Sequence, residues 1–293
     1  MPAPFKTVGL FGRVNSPIVA ETLVALLRYL QELSHPFFIE TETAAQLTLP
    51  FACNKLDRDQ LGKHCDLLIV VGGDGSLLHA AHAAVDQNLP VIGINRGRLG
   101  FLTDILPTEF DRLKAVLEGE YTIENRFLLT ASVSSNAEIL ATDHALNEVA
   151  IIPDAIPHMV EFEIYIDREF VCSQHSDGLI VSTPTGSTAY ALSGGGPILH
   201  PQLNAIVLVP MFPQALSSRP IVVQGDQLIE ILISSENSST SRLTCDARDY
   251  IEAPPQSRIT IAKKKETLRL VHPLHYHYYK TLRSKLHWGK KLC

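Results

Sequence analysis

The stretch LLIVVGGDGSLLHAAHAAV (67–85) joins an apolar run to a glycine-rich turn and then to a segment with helical spacing. The apolar run, Leu67 to Val71, is typical of a strand buried on both faces of a parallel sheet. A helix is predicted from Leu77 to Val85, with Ser76 placed to cap it. We therefore predict a strand, a turn and a helix at the carboxyl edge of a parallel sheet, where such folds bind ligands.

The residues around this stretch continue the same alternation. Thr7 to Phe11 and Val91 to Ile94 are short apolar runs, and residues 17–33 carry apolar side chains at helical spacing. Strands that alternate with helices indicate βαβ units with right-handed crossovers. We predict an α/β domain over residues 1–125 that carries the GGDGS turn.

The pattern changes near Arg126. Short runs that alternate between apolar and polar residues follow, such as VEFEIYID (160–167) and LIEILIS (228–234), and helical periodicity is weak. This pattern predicts a β-rich domain over residues 126–270. The aromatic and basic tail, 271–293, is expected to contain a short helix that packs back on the N-terminal domain. Its histidines (His272, His275 and His277) lack a matching carboxylate or Cys cluster, so packing with aromatic side chains is favoured over metal binding.

Composition excludes several classes of function. The 293 residues are 45% hydrophobic and 19% charged, with a formal net charge of −6, as in an ordinary soluble protein. The net charge argues against a nucleic-acid or membrane partner, and there is no run of 18 apolar residues. The five cysteines lie far apart without a CxxC pair, which fits a reducing cytoplasm rather than a disulfide framework.

The GGDGS turn (72–76) suits an anion. Glycines allow a ligand to approach the main chain, and the free N–H groups at a helix start attract phosphate. Asp74 is unexpected in a site for phosphate alone, but phosphoryl transfer needs a carboxylate that accepts the proton of the attacking hydroxyl, and such a group can also help to hold Mg²⁺. The turn is neither a Walker P-loop nor a GxGxxG fingerprint. The alternative is a purely structural turn with Asp74 as a local cap.

A second glycine-rich stretch is SDGLIVSTPTGSTAYALSGGGPILHP (176–201). Its hydroxyls, from Thr183 to Ser193, and its glycines suit a polar, flat ligand, and Tyr190 could stack on a base. Asn147-Glu148 precedes an apolar run and is expected at the start of a strand, where amide and carboxylate suit ribose hydroxyls or an adenine edge. The alternatives are a Ser/Thr-rich loop without a ligand and an ordinary Asn-Glu turn.

Together these motifs resemble the NAD kinase family, in its Gram-negative bacterial form. The residues that carry the resemblance are GGDGS (72–76), INRGRLGFL (94–102), NE (147–148), DGLIVSTPTGSTAYALSGGGP (177–197) and the tail LHWGKKL (286–292). The resemblance extends over nearly the whole chain. It implies a Rossmann-like N-terminal domain and a β-rich C-terminal domain, with NAD held in the cleft between them.

The resemblance also implies roles for single residues. Asp74 would accept the proton of the adenosine ribose 2′-hydroxyl, and Gly75 would lie against the substrate. The phosphate-binding turn would comprise Gly72, Gly73, Gly75, Ser76 and His79. Contacts with NAD would come from Asn147, Glu148, His158, His175, Asp177, Thr188, Ala189, Tyr190, Ala191, Leu192, Ser193 and Arg248. His175 stands where close relatives carry Arg, and Arg248 stands where relatives often have a neutral side chain.

The expected reaction is direct in-line transfer of the γ-phosphoryl group of ATP to NAD, which makes NADP. A divalent metal ion, Mg²⁺ or Mn²⁺, would accompany ATP and spread the developing charge. A cytoplasmic homodimer or homotetramer is expected from the resemblance. Two other functions stay open: a lipid kinase with a GGDG turn, and a non-catalytic protein that senses NAD(H).

Overall fold

The computed structural model describes residues 4–13, 17–96, 100–136, 138–154 and 159–288. The chain forms two compact units. The first comprises Met1–Asn125 together with Leu268–Cys293, and the second comprises Arg126–Thr267.

The first unit alternates strands with helices along most of its length. Its elements, in chain order, are β1 (Val8–Gly12), α1 (Pro17–Glu32), β2 (Phe37–Glu40), α2 (Thr41–Ala45), β3 (Lys55–Leu56), α3 (Leu61–His64), β4 (Leu67–Val71), α4 (Asp74–Asp86), β5 (Val91–Ile94) and α5 (Phe110–Leu117), with a 3-10 turn at Arg58–Gln60.

The strands of the first unit form a parallel sheet in the order β3-β2-β1-β4-β5. Helix α1 buries Leu23, Leu26, Leu27 and Leu30, a spacing that places one apolar face against the sheet. The chain winds outward in one direction through β2 and β3, and in the other direction through β4 and β5. The carboxyl ends of β1 and β4 therefore flank the switch point of the sheet, which is where doubly wound folds bind ligands.

The second unit is built almost entirely of strands. Its elements are β6 (Tyr121–Ser135), which begins in the first unit, β7 (Glu138–Ala145), β8 (Glu148–Pro153), β9 (Val160–Ile166), β10 (Glu169–Ser176), β11 (Gly178–Ser182), α6 (Tyr190–Ser193), β12 (Ala205–Met211), β13 (Ile221–Gln224), β14 (Ile229–Ile233), β15 (Ser241–Cys245), β16 (Tyr250–Ala253) and β17 (Arg258–Pro273), with a 3-10 turn at Gly186–Thr188. The last residues of β17 return to the first unit, where Leu270 pairs with Val91 and α7 (Tyr278–Leu286) follows.

Two sheets enclose the core of the second unit. One is antiparallel, in the order β13-β12-β11-β8-β15-β16, and the other contains β10-β9-β14-β17. Apolar side chains from both sheets, such as Ile151, Leu243, Phe162 and Ile231, form one buried cluster. This core explains the alternating sequence pattern, because every second residue of each strand points inward.

The predicted fold class is confirmed, with differences at element ends. Strands Leu67–Val71 and Val91–Ile94 have the predicted bounds. Helix α4 begins at Asp74 instead of Leu77, because the backbone of the glycine turn already takes helical hydrogen bonds there. Strand β17 runs to Pro273, so the first residues of the predicted tail are strand.

Candidate functional site

The GGDGS turn joins β4 to α4 at the switch point of the first unit. Gly73 is the N-cap residue of α4, and no side chain caps the helix within the described chain. The expectation that Ser76 caps the helix is wrong, because Ser76 lies in its first turn and donates its own N–H to the Gly73 carbonyl at 2.9 Å. Gly72 has a φ of +153° and a side chain there would overlap Ser76. The first turn of the helix therefore has free N–H groups that no side chain caps.

Gly73 and Gly75 border open space. A Cβ atom added at either position would meet no described atom within 4 Å, and neither residue has the positive φ that requires glycine. Neither the backbone conformation nor packing within the described part of the chain explains these two glycines. They fit a site where a ligand lies directly against the main chain.

Asp74 opens α4 with its carboxylate fixed in place. One oxygen, Oδ2, accepts the N–H of Phe101 at 2.9 Å, and the other, Oδ1, accepts the N–H of Leu102 at 3.0 Å. A side chain at Gly100 would overlap this carboxylate, so glycine is needed for the loop to approach it. Each carboxylate oxygen has a further lone pair. Asp74 can therefore accept a proton from a ligand while its orientation is held by the loop.

The loop of residues 100–105 is itself anchored to β5. The side chain of Asn95 donates to the Thr103 hydroxyl at 2.9 Å, and the N–H of Asp104 bonds to the Gly93 carbonyl at 3.1 Å. The motif INRGRLGFL (94–102) contains the first part of this loop and contributes to the family resemblance. The sequence alone does not show that the loop holds Asp74. Residues 97–99 of that motif lie outside the described part of the chain.

His79 lies one turn beyond Asp74 on α4. Its ring stacks on Phe11 at 5.8 Å, and its Nδ1 is 3.3 Å from Nη1 of Arg58. Burial, followed by the charges of Arg58 and Arg13, lowers the pKa of His79, so a neutral ring is favoured. These residues line a cavity of about 300 Å³ whose lining is Phe11, Gly12, Arg13, Glu40, Glu42, Gln46, Arg58 and His79.

Arg58 and Glu40 are residues of this cavity that sequence reasoning missed. Arg58 forms ion pairs with the buried Glu40 at 2.6 Å and with the exposed Glu42 at 3.0 Å. Glu40 ends β2 and also accepts the hydroxyl of Thr43 at 2.5 Å. No motif indicates this group, because only the parallel sheet brings the ends of β1 and β2 together.

In the second unit, Asn147 and Glu148 lie at the start of β8, as predicted. The turn is held by Asp246, whose carboxylate accepts the N–H groups of Leu146 at 2.8 Å, Asn147 at 2.8 Å and Glu148 at 3.2 Å. Asp246 is buried and has a φ of +55°, which Asp tolerates better than most residues. Sequence reasoning quoted this segment for Arg248 and missed Asp246.

Glu148 is buried, with 7% of its surface exposed. Burial first, and then the negative charge of Asp246, raises the pKa of Glu148 to about 7, although a hydrogen bond from the backbone of Tyr190 opposes this. Its Oε2 atom has no hydrogen-bond partner among the described residues. Glu148 can therefore either donate or accept a hydrogen bond near neutral pH.

Replacing Glu148 by Gln should remove part of the pH dependence of stability. Because the folded pKa is above the ordinary value, Glu148 favours folding at low pH, and this contribution is lost as pH rises from about 4.5 through about 7. The loss in the wild type is on the order of 3 kcal/mol. Melting temperatures from pH 5 to pH 8.5 should therefore fall less in Glu148→Gln than in the wild type. Glu236→Gln, an exposed control, should follow the wild type, and a Glu148→Gln curve parallel to the wild type would contradict the assignment.

The hydroxyl-rich segment 183–188 is directed largely inward. Thr183 Oγ1 donates to the Leu146 carbonyl at 2.6 Å, and Ser187 Oγ donates to the Pro184 carbonyl at 2.7 Å and accepts the Leu199 N–H at 2.9 Å. The interpretation that these two hydroxyls wrap a ligand is therefore wrong. They join the segment to the Asn147 turn, and a side chain at Gly186 would overlap the Asn147 backbone.

The residues from Thr188 to Ser193 differ in what they offer a ligand. Ala191 is fully buried in a small apolar cluster, so its side chain is not accessible. Thr188, Ala189 and Leu192 are partly exposed, and Tyr190 and Ser193 are exposed. Tyr190 and Ser193 line a cavity of about 550 Å³ with Ile180, Gly194, Pro210, Met211, Phe212, Pro213, Ala215, Leu216, Ser218, Arg219 and Pro220. The ring of Tyr190 is available for stacking, as the sequence suggested.

Three further residues have defined places in the second unit. His175 is exposed at the end of β10, with Nδ1 2.9 Å from Oε1 of Gln214. Asp177 is exposed and donates its N–H to the Met211 carbonyl at 2.9 Å. Arg248 forms an ion pair with Asp143 at 2.6 Å, so its charge is already partnered. His158 lies outside the described residues.

The described part of the chain contains no cluster of three or more His, Cys, Asp or Glu side chains able to hold a metal ion. Within the same ranges, no helix has the length and apolar character needed to cross a membrane.

Comparison with known proteins identifies relatives over almost the entire chain. Residues 8–121 match the ATP-NAD kinase N-terminal domain, and residues 146–273 match the ATP-NAD kinase C-terminal domain. The chain is 49% identical to the NAD kinase of Pseudomonas fluorescens strain Pf0-1 over 289 residues, which is 98% of this chain and 97% of the relative. It is 50% identical, with the same coverage, to the NAD kinase of Pseudomonas syringae pv. syringae strain B728a.

Two solved structures share the fold. Yeast NADH kinase complexed with NADH superposes with a TM-score of 0.89 and 24% identity, covering 99% of this chain and 90% of that chain. An NAD kinase from Archaeoglobus fulgidus in complex with ATP gives a TM-score of 0.70 and 24% identity, covering 95% and 99%. The resemblance predicted from the sequence motifs is thus confirmed.

Proposed function

The chain belongs to the ATP-NAD kinase family and is an NAD kinase, and we propose that Asp74 takes the proton from the attacking 2′-hydroxyl of the adenosine ribose. The observation that carries this proposal is the carboxylate of Asp74, fixed by the N–H groups of Phe101 and Leu102 beside an open glycine turn. A base that is held in one orientation loses little entropy when the hydroxyl arrives.

The donor is ATP, and its phosphates lie against the start of α4. Gly73 and Gly75 leave room for them, and the amides and dipole of the first turn favour their negative charge. A divalent metal ion, Mg²⁺ or Mn²⁺, would accompany ATP as part of the substrate and would supply positive charge during in-line transfer. Gly72 and Ser76 shape the turn, and His79 contributes a neutral ring one helical turn further on.

NAD is recognised in part by the second unit. Asn147 and Glu148 are held by Asp246 and offer an amide and a titratable carboxyl group to the ribose or the adenine edge. Tyr190 and Ser193 border an open cavity, and Thr188, Ala189, Ala191 and Leu192 complete the segment proposed for the adenosine. His158, His175, Asp177 and Arg248 are proposed contacts with the remainder of NAD. Of these, Arg248 must release or share Asp143 to take part.

We also propose, from the resemblance alone, a cytoplasmic homodimer or homotetramer whose two functional domains correspond to the two compact units. Repeating the assay with polyphosphate in place of ATP, and with NADH in place of NAD, measures the preference for donor and acceptor.

The proposed reaction is tested by mixing the purified chain with NAD, ATP and Mg²⁺ and following NADP with an NADP-specific dehydrogenase. NADP should form only when all three are present. If no NADP forms and ATP instead phosphorylates a diacylglycerol or sphingosine, the chain would be a lipid kinase. Tight NAD binding by a folded protein without any turnover would indicate a sensor.

Substitutions at Gly75 test whether a ligand occupies the open space beside it. Gly75→Ala should fold with a melting temperature close to the wild type, because an added Cβ atom meets no described atom within 4 Å outside its own turn of helix, and Gly75→Val extends two methyl groups from the same open point. Turnover should fall in a graded way, by roughly 10-fold for Ala and 100-fold or more for Val, since displacing a reacting group by about 1 Å has effects of this size. Full activity in Gly75→Val would show that no ligand approaches the main chain there.

A further inference from the structure

His272 occupies a buried polar cluster in the first unit. Its Nδ1 forms a short contact with Oδ2 of Asp104, and its Nε2 is 3.4 Å from Oε2 of Glu124. The ring stacks on Tyr276 at 3.9 Å, and His272 itself is fully buried. The sequence expectation of aromatic packing is therefore correct for one face of the ring but incomplete. The carboxylates that the local sequence lacks come from residues that are distant along the chain.

Asp104 connects this cluster to Asp74. It belongs to the loop of residues 100–105, whose Phe101 and Leu102 N–H groups donate hydrogen bonds to the Asp74 carboxylate. Its own N–H bonds to the Gly93 carbonyl at 3.1 Å, and its carbonyl accepts Nη1 of Arg112 at 3.3 Å. The side chain of Asp104 is 5% exposed, so His272 rather than bulk water determines where it lies.

We propose that His272 is a positioning residue for phosphoryl transfer: by holding Asp104 it fixes the loop of residues 100–105, and the N–H groups of that loop orient the Asp74 carboxylate. This proposal rests on the proposed function of Asp74 as the proton acceptor. His272 touches neither substrate nor the reacting atoms in this account, and it acts only through the loop.

Burying the charged groups of this cluster costs free energy that apolar side chains would not cost. A buried ion pair is often no more stabilising than apolar side chains of similar volume. Here Oδ1 of Asp104 also has no hydrogen-bond partner among the described residues. Burial lowers the pKa of His272, but the hydrogen bond to Asp104 and the nearby carboxylates of Asp104 and Glu124 outweigh it, and the net pKa is raised. A protonated His272 donates a directional hydrogen bond to Asp104, and such a bond can fix the orientation of the Asp104 carboxylate.

Two substitutions distinguish the contact made by Nδ1 of His272 from the contact made by Nε2. The amide of Asn reaches about the position of Nδ1, whereas that of Gln reaches about the position of Nε2. His272→Asn can therefore still donate to Asp104, and His272→Gln donates toward Glu124 instead. We expect kcat to fall by about 10–100-fold in His272→Gln and by less than about 5-fold in His272→Asn, with the KM for NAD little changed in both. His35→Gln, in the same unit but outside the cluster, is the matched control.

Hydrogen exchange supplies a readout that does not depend on activity. His272→Gln should speed exchange in a peptide covering residues 100–105, where the amides of Phe101 and Leu102 lose their fixed acceptor geometry. Peptides from α1 and β4 should keep wild-type exchange, and His272→Asn should stay close to the wild type throughout. If both variants fail to fold, Asp104→Asn replaces His272→Gln, with the same expected fall in kcat and the same faster exchange at residues 100–105.

Two results would overturn the proposal. One is unchanged exchange at residues 100–105 in His272→Gln. The other is equal loss of turnover in both variants with faster exchange across the whole unit, which would show a role in stability alone. Normal turnover in Asp74→Asn would instead refute the proposed base, and the exchange experiment would still report whether His272 holds the loop.

Discussion

Asp74→Asn is expected to lower kcat for NADP formation by about 10²–10⁴-fold, the range that a general base contributes. The KM for NAD should change by less than about threefold, because the carboxylate acts on the hydroxyl in the transition state. Steady-state kinetics with saturating ATP and Mg²⁺, together with calorimetric binding of NAD, would separate these effects.

The Asp74→Asn variant also disturbs the loop, and its control must account for this. The carboxylate accepts N–H groups from Phe101 and Leu102, whereas an amide has only one oxygen and would face the second N–H with its own donor. A stability loss of roughly 1–3 kcal/mol follows. His272→Gln loosens the same loop while it keeps the carboxylate, so it measures the share due to misplacement. A loss in Asp74→Asn no greater than in His272→Gln would argue against proton transfer to Asp74.

Asp246→Ala is expected to cause the largest loss of stability among these variants. It removes the acceptor of the Leu146, Asn147 and Glu148 N–H groups, of which the first and third are buried and the second is partly buried. Buried donors left without a partner cost about 1–3 kcal/mol each, so a loss of about 3–5 kcal/mol in the second unit is expected. Ala is also less suited than Asp to the left-handed backbone at this position.

Urea unfolding followed by circular dichroism would measure this loss, and the KM for NAD should rise because Asn147 and Glu148 lose their support. Asp246→Asn keeps one acceptor and should be affected less. Asp249→Ala, at an exposed position three residues later, is the matched control and should unfold like the wild type. Equal stability of Asp246→Ala and Asp249→Ala would show that the three N–H groups do not depend on this carboxylate.

The parts of the fold that the sequence revealed are those encoded locally. Leu67 to Val71 is uniformly apolar and is a strand buried along its whole length, and the alternation in 160–167 matches the inward and outward faces of β9. The glycine turn was recognised because its composition is unusual for a strand–helix connection. The sequence predicts Ser76 as the cap because Ser is a common cap residue, and no local feature shows that the helix starts at Asp74.

The supporting residues could not be predicted, because their partners are far away in the chain. Asp104 and His272 are 168 residues apart, and Asp246 lies 98–100 residues from the N–H groups it accepts. The sequence predicts ligand contacts for Thr183 and Ser187 because hydroxyls suit a ligand and a structural turn equally well. Only the positions of the Leu146 and Leu199 backbone atoms decide between the two.

The central claim is that this chain phosphorylates NAD on the 2′-hydroxyl of the adenosine ribose. The most direct measurement is ³¹P NMR of a reaction that contains the chain, NAD and Mg-ATP. The expected result is a new phosphomonoester resonance that matches authentic NADP and grows as the γ-phosphate signal of ATP disappears. Release of inorganic phosphate without that resonance, from a folded and NAD-binding protein, would contradict the claim.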